Sequence, residues 1–248
     1  MDIRWLTIDR IGPDDWPILE RMLDAEERER AGRFRFERDR DTYVAAHALV
    51  RGMLSGLVRR HPSEWRFAAS AHGKPELVPG AAVPPLYFNI SHTRGLVAVA
   101  MTMENDVGLD VETLEAGRLS MDLASRFFAA TEVDYLHQLP AERRQEALFA
   151  FWTLKEAYIK AVGLGLSVPL DAFSFVLDPL AISFSPRQPD SPANWLFRRF
   201  APSPVHVMAL ALRHSEPQRV RVNAHPAPLN LLLAQSDQAE GPGNISRR

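Results

Sequence analysis

Two carboxylates in a short segment have the type and spacing to bind a hard cation. In VGLDVE, residues 107–112, Asp110 and Glu112 alternate with apolar residues. A strand would therefore place both on one face, roughly 6–7 Å apart. Acidic residues are uncommon in strands, and a shared cation such as Mg²⁺ is one reason for such a pair. A solvated face at a sheet edge is the alternative, and the pattern alone favours neither.

A third carboxylate lies in FWTLKEAYIKAVGLGLS, residues 151–167, which has the periodicity of a helix. Lys160 follows Glu156 by one turn, a spacing that is common on solvated helix surfaces. Lys155, however, falls on the apolar stripe of this helix, where a charge needs an anionic partner. Carboxylates, lysines and a divalent cation together form a set suited to handling phosphate.

Polar segments in the first half could add anion-binding groups. Ser91 and His92 end the predicted strand FNIS, and the GKP turn at 73–75 brings one lysine. Six arginines lie among acids over residues 28–40. Such a run is usually a solvated helix face, but arginine also binds phosphate through two parallel hydrogen bonds.

The pattern of elements predicts an α+β fold of two similar halves. Each half is expected to place a long helix before short antiparallel strands. The second helix is predicted between Pro140 and Gly163, which suit a helix start and a left-handed cap. We predict an N-terminal half at 1–105, a C-terminal half at 106–225 and a poorly ordered tail at 226–248.

Composition narrows the class of protein. The 248 residues are 46% hydrophobic and 24% charged, with a net charge of −2 and no cysteine. Disulfides and thiolate metal sites are therefore excluded, and nothing global calls for nucleic acid or an anionic membrane. The N-terminus lacks the pattern of a secretory signal, and no apolar run reaches the roughly 20 residues of a membrane helix. We expect a cytoplasmic protein that binds neither nucleic acid nor membrane.

The ordered set GKP, FNISHT, VGLDVE and FWTLKEAYIKAVGLGLS resembles the 4'-phosphopantetheinyl transferases of the longer, surfactin-synthetase-activating type. The resemblance covers roughly residues 28–178. It implies a monomer whose two α+β halves are related by a pseudo-twofold and hold coenzyme A between them. It also implies transfer of the 4'-phosphopantetheine arm of coenzyme A to a serine of apo acyl or peptidyl carrier proteins, with release of 3',5'-ADP.

The resemblance also implies roles for individual residues. Mg²⁺, or Mn²⁺ in its place, would be held by Asp110, Glu112 and Glu156. Catalysis would rest on Glu156, Lys160 and Asp110. Coenzyme A would be held by Arg33, Arg40, Arg51, Gly73, Lys74, Pro75, Ser91, His92, Lys155 and Lys160.

Two other functions compete with this one. A metal-dependent nuclease also places carboxylates on a strand near a lysine, but it would need a broad basic face for the phosphate backbone. A carrier-binding protein without catalytic activity would explain two lobes but not three converging carboxylates.

Overall fold

In the computed structural model, which describes residues 1–70, 73–78, 85–103, 106–115 and 119–236, the elements run twice through the same order. The first set is β1 (Asp2–Thr7), α1 (Trp16–Met22), α2 (Ala25–Ala31), α3 (Glu37–Leu57), β2 (Phe67–Ala69), β3 (Pro75–Leu77), β4 (Tyr87–Thr93) and β5 (Leu96–Thr102). The second set is β6 (Val107–Thr113), α4 (Met121–Phe127), α5 (Ala130–Gln138), α6 (Ala141–Val162), β7 (Phe173–Leu177), β8 (Leu180–Phe184), β9 (Trp195–Ser203) and β10 (His206–Arg213). The predicted α+β fold of two similar halves is confirmed.

The sheets of the two halves share one strand order. In the first half β5 lies between β1 and β4, and in the second half β10 lies between β6 and β9, with antiparallel pairing throughout. Asp110 faces Ala209 in the register of β6 with β10. The strand that carries the carboxylates is therefore fixed by long-range pairing and does not continue the hairpin of β4 and β5.

Local signals fix the ends of the helices. The side chain of Asp24 accepts a hydrogen bond from the backbone of Glu27, and Glu27 returns one, which makes a capping box at the start of α2. Pro140 caps α6, and Gly163 ends it with a φ of 71°. None of the helices in the described ranges is long and apolar enough to cross a membrane.

Three apolar clusters form the core of the protein. One packs α3 against the first sheet, and a second packs α6 against the elements of the second half. A third lies between the two sheets and includes Ile3 of β1 and Leu109 of β6. Each buried aliphatic side chain contributes about 1.5–3 kcal/mol, so the central cluster fixes β6 firmly against the first half.

The junction between the halves uses side chains where backbone pairing would be expected. Asn89, Ser91 and Thr93 lie on one face of β4. Their oxygens accept the backbone N–H groups of residues 109, 111 and 113 of β6 at 2.8, 3.1 and 3.3 Å. The edge of β6 is thereby satisfied without a continuous sheet.

The segment from residue 226 differs from the prediction. Residues Asn223–Pro226 form β11, which pairs with β1 in parallel, so the first sheet is mixed and not purely antiparallel. Leu229–Ala234 then form α7, and Leu232 is buried in the core of the first half. The expected poorly ordered tail is therefore wrong for 226–236, because its leucines pack on α3. Residues 237–248 lie outside the described residues.

Candidate functional site

The carboxylates of β6 are buried. Asp110 is 5% exposed and Glu112 is 9% exposed, so they do not lie on a solvated sheet face. Both point toward α6, whose backbone closely approaches Gly108 on the same face of β6. A Cβ at Gly108 would lie 1.9 Å from the carbonyl oxygen of Ala157. The space beside Gly108 is therefore filled by α6.

Lys160, Asp110 and Ser91 form one hydrogen-bonded cluster across the two halves. The Lys160 ammonium donates to Asp110 Oδ1 at 2.6 Å and to Ser91 Oγ at 3.0 Å. Ser91 Oγ donates to Asp110 Oδ1 at 3.2 Å. The last turns of α6, the middle of β6 and the end of β4 therefore meet at one point.

Glu112 is held by two donors from different elements. Trp152 Nε1 donates to its Oε1 and Thr93 Oγ1 donates to its Oε2, each at 3.3 Å. A carboxylate fixed at both oxygens keeps its orientation. Glu112 is therefore buried in a fixed orientation, two residues after Asp110 on the same face of β6.

Glu156 completes the acidic group from α6. Burial raises the pKa of Glu156 above its usual 4.5; the charges of Asp110 and Glu112 add to this effect, and Lys160 opposes it. The carboxylates therefore repel one another across the cleft. A divalent cation would relieve this repulsion, and oxygen donors are the ligands that Mg²⁺ and Mn²⁺ accept. As the site stands, no three carboxylate or histidine side chains of the described residues converge at metal-binding geometry.

His92 borders this cluster on its exposed side. Desolvation and then the positive charge of Lys160 lower the pKa of His92 below 6.5, and Asp110 opposes them. The side chain of His92 nevertheless stays exposed. A neutral, accessible imidazole beside a lysine and an aspartate can donate a hydrogen bond to an anion in the cleft.

The site residues lie in a chain that matches known proteins along both halves. Residues 106–211 match the family described as the 4'-phosphopantetheinyl transferase superfamily, and residues 11–104 match the family described as 4'-phosphopantetheinyl transferase, N-terminal. The chain is 32% identical over 198 residues to the 4'-phosphopantetheinyl transferase HetI of a Nostoc species, covering 78% of this chain and 80% of that one.

The chain belongs to the 4'-phosphopantetheinyl transferase superfamily. It is also 30% identical over 195 residues to the transferase Sfp of Bacillus subtilis, covering 79% of this chain and 84% of that one. A human L-aminoadipate-semialdehyde dehydrogenase-phosphopantetheinyl transferase is 28% identical over 221 residues, covering 83% of this chain and 72% of that one.

Lys155 of this transferase does not lie in the cleft, which corrects one predicted coenzyme A contact. Its side chain is fully buried and forms an ion pair at 2.8 Å with Glu132, which is itself inaccessible. The ammonium also donates to the carbonyl oxygens of Leu170 and Phe173 at 2.7 and 2.8 Å. All three N–H groups of Lys155 are therefore used inside the C-terminal core.

Arg51 is a second correction. It is fully buried, and its guanidinium donates to Glu27 and Asp24 at 2.7 Å. It also donates to the carbonyl oxygens of Pro62 and Trp65 at 2.7 and 3.0 Å. A guanidinium enclosed in this way has no free edge for a phosphate, so Arg51 is structural.

Lys74 and Ser91 also differ from their predicted roles. The ammonium of Lys74 donates to the carbonyl oxygens of Val107 and Lys160 at 3.1 and 3.2 Å, so it braces β6 and the last turn of α6. Burial lowers its pKa, despite the nearby charges of Asp106 and Glu76. Ser91, predicted to hold coenzyme A, hydrogen-bonds to Asp110 and Lys160.

Among the described residues, the other predicted coenzyme A contacts in the N-terminal half form no hydrogen bond or ion pair with Asp110, Lys160 or Ser91. Arg33 pairs with Glu29, and Arg40 pairs with Glu20 and Asp41. Gly73 has a φ of 81°, which only glycine adopts without strain, and it turns the chain before Pro75 starts β3. Their contact with coenzyme A stays a prediction.

Three residues that matter to the site, Asn89, Trp152 and Glu132, were not predicted from sequence. Asn89 shares the polar character of Ser91 and Thr93 at every second position of FNISHT, a period that marks one face of a strand. Trp152 holds Glu112, and Glu132 holds Lys155. The signal for Trp152 was its indole N–H, which needs a partner when it is buried. No local signal pointed to Glu132.

Proposed function

We propose that the cleft between the two halves transfers the 4'-phosphopantetheine arm of coenzyme A to a carrier-protein serine with the help of a divalent cation. The transferase activity is that of the superfamily; the metal, the residue roles and the carrier are the proposal. The cluster of Asp110, Lys160 and Ser91, with Glu112 and Glu156 beside it, is the observation that supports it.

The donor set of Asp110, Glu112 and Glu156 suits Mg²⁺, with Mn²⁺ as a substitute. Bound there, the cation would neutralise charge on the pyrophosphate of coenzyme A. The three side chains come from β6 and α6, which pack directly against each other.

Lys160 supplies a fixed positive charge. Its side chain is 29% exposed, so it can turn from Asp110 toward an anion in the cleft. Charge accumulates on the oxygens of the leaving 3',5'-ADP as the phosphorus–oxygen bond breaks. Lys160 stabilises that charge, and removal of one such donor typically lowers turnover about 10²–10³-fold.

Glu156 is the proposed base. A serine hydroxyl is a weak nucleophile until a neighbouring group accepts its proton. A carboxylate with a raised pKa is a stronger base than an ordinary one once it is ionised. Glu156 accepts the serine proton directly or through one water, while the serine oxygen forms the new bond to phosphorus.

The adenosine-phosphate end of coenzyme A is proposed to lie toward His92 and the N-terminal half. Asp39 and His47 of α3 are among the charges that influence the pKa of His92, which supports placing α3 on this side of the cleft. Arg33 and Arg40, together with the backbone of the turn at Gly73 and Pro75, remain the proposed contacts.

A monomer in the cytoplasm fits this proposal. Both walls of the cleft come from one chain, so a second copy is not needed to complete it. The chain has no cysteine whose oxidation state would matter to the site. Light scattering at working concentration would test the monomer.

The experiment is transfer to an apo carrier, read as the mass shift of the carrier. Coenzyme A with Mg²⁺ or Mn²⁺ is expected to give the holo carrier, and EDTA is expected to abolish the reaction. Asp110→Asn should lose transfer, whereas Asp122→Asn, on α4 outside the cluster, should not. Transfer that persists in EDTA or in Asp110→Asn would contradict the metal assignment. Thermal stabilisation by single-stranded oligonucleotides but not by coenzyme A would favour a nuclease instead.

A further inference from the structure

The N-terminal half contains a counterpart of the catalytic cleft. Each long helix carries one fully buried cation, Arg51 in α3 and Lys155 in α6, which bonds to a glutamate of the preceding helix and to two later carbonyl oxygens. The residues one position and five positions after each cation therefore occupy corresponding places in the two helices. In α6 they are Glu156 and Lys160. In α3 they are glycines 52 and 56.

The strands agree with this match. Ile3 of β1 and Leu109 of β6 both lie in the cluster between the sheets. If Ile3 corresponds to Leu109, then Arg4 corresponds to Asp110 and Leu6 corresponds to Glu112. The counterpart has therefore lost the carboxylates of the catalytic cleft.

A cavity of about 770 Å³ occupies this counterpart, a size typical of small-molecule sites. Helix α7 closes one side of it, since a Cβ at Gly52 would lie 2.0 Å from Leu232 Cδ1. Its lining is mainly apolar and includes four of the seven methionines of the chain: Met1, Met53, Met101 and Met103. Methionine-rich linings adapt to flexible apolar ligands.

The charged groups of the lining are mostly positive. Arg4, Arg219 and Arg221 line the cavity, and Asp2 is the acidic residue among its described lining. Arg4 lies 3.5 Å from Asp2, and Arg219 pairs with Glu216 outside the cavity. For Arg221 no ion pair is formed with any described residue. Its guanidinium is therefore available to an anion at the mouth.

We propose that this second cavity binds an amphipathic anion, namely a fatty acid with its chain among the methionines and leucines and its carboxylate at Arg221 and Arg4. The apolar walls exclude water from the chain, and the arginines fix the head. This site is separate from the catalytic cleft, so it does not depend on the proposed function.

Isothermal titration of the full chain with decanoate, below its micelle concentration, tests the site. One saturable site is expected, and saturating coenzyme A should not compete with it. Met53→Trp fills the cavity and should weaken binding at least about tenfold. Leu57→Trp, at an exposed lining position, repeats the test if the first variant is unstable. Val176→Trp, an equally exposed apolar position on β7, should leave binding unchanged.

The head group is tested with a charge variant and an uncharged ligand. Arg221→Ala should weaken decanoate binding about tenfold and decanol binding by less than about twofold. Arg198→Ala, on the exposed face of β9, is its control. The proposal is overturned if decanoate does not saturate, if coenzyme A displaces it, if Met53→Trp and Leu57→Trp bind normally, or if Arg221→Ala weakens both ligands equally. Binding to anionic vesicles without binding to monomeric decanoate would also overturn it.

Discussion

The helices α3 and α6 occupy the same place in the two halves, yet the residues they present next to their buried cation differ. Both bury one cation against a glutamate that caps a shorter helix, Arg51 on Glu27 and Lys155 on Glu132. Beyond that cation, α6 presents Glu156 and Lys160 to the cleft. Helix α3 presents glycines at the same places and packs against α7. The two halves therefore share an internal ion pair, while the face next to it carries the proposed catalytic residues in one half only.

The two ion pairs also differ in their protonation behaviour. Burial would raise the pKa of Glu27, but hydrogen bonds and charges from His47 and Arg51 outweigh it and lower the value to about 2. Burial raises the pKa of Glu132 and lowers that of Lys155, and their attraction only partly opposes it. His47 and Arg51 together therefore hold Glu27 as a carboxylate more strongly than Lys155 holds Glu132.

The largest expected effect separates the two lysines of α6. Lys155→Met leaves Glu132 buried without a cation, and we expect a loss of about 3–5 kcal/mol in the free energy of unfolding. Turnover per folded molecule should remain near normal. Denaturant titration of Lys155→Met beside Lys160→Met measures the contrast. Equal stability in the two variants would mean that Lys155 is not a core ion-pair residue.

Lys160→Met should have the converse result. Its turnover with an apo carrier should fall about 10²–10³-fold, since the charge on the leaving group loses its partner. Stability should fall less than in Lys155→Met, because the side chain of Lys160 is 29% exposed whereas that of Lys155 is fully buried. Steady-state transfer at saturating coenzyme A gives the first quantity and thermal melting the second. A pure stability loss with normal turnover would place Lys160 with Lys155 as a structural residue.

A pH series compares the two buried glutamates. The folded-state pKa of Glu27 lies below its unfolded value of 4.5. The contribution of Glu27 to stability is therefore present above pH 4.5 and is lost as the pH falls toward about 2. We expect the free energy of unfolding of the wild type to exceed that of Glu27→Gln by about 3 kcal/mol at pH 7. This gap should shrink steadily between pH 4.5 and 2.

The pH dependence of stability due to Glu132 has the opposite sign, because the folded-state pKa of Glu132 is raised above 4.5. Its favourable contribution is present below pH 4.5 and is lost as the pH rises through the raised value. Urea unfolding of Glu27→Gln and Glu132→Gln at each pH measures both trends. Parallel profiles for the two variants would contradict the difference between the ion pairs.

The smallest effect concerns the glycines of α3. Gly52→Ala places a Cβ within 2.0 Å of Leu232 Cδ1 and should cost about 1–3 kcal/mol by overpacking against α7. Gly56→Ala meets only the flexible end of Gln235 at 3.1 Å and should be neutral or slightly stabilising. Thermal melting compares them. If both variants are neutral, α7 does not pack closely on this face.

Local patterns predicted much of this fold and part of the site. Pro140 and Gly163 bound α6 as predicted, because caps depend on neighbouring residues alone. Alternation in VGLDVE placed Asp110 and Glu112 on one face, and the ordered motifs indicated the family. A one-turn spacing placed Glu156 and Lys160 on the same side of α6.

The errors came from contacts between distant residues. Lys155 was expected in the cleft because an apolar stripe cannot show whether its charge meets a ligand or a buried glutamate from another helix. Arg51 was misassigned for the same reason. The strand at 107–113 pairs with β10, near the other end of the chain, and no local pattern indicates that pairing. Burial and partner choice depend on the assembled fold.

Transfer to an apo carrier by Glu156→Gln and by Glu142→Gln tests the central claim most directly. Both glutamates lie on α6, but Glu142 is exposed in its first turn, far from the carboxylates of β6. At saturating coenzyme A and Mg²⁺, Glu156→Gln is expected to lose turnover about 10²–10⁴-fold with a melting temperature close to that of wild type. Glu142→Gln is expected to match wild type in both respects. Near-normal turnover in Glu156→Gln would contradict the assignment of catalysis to this face of α6.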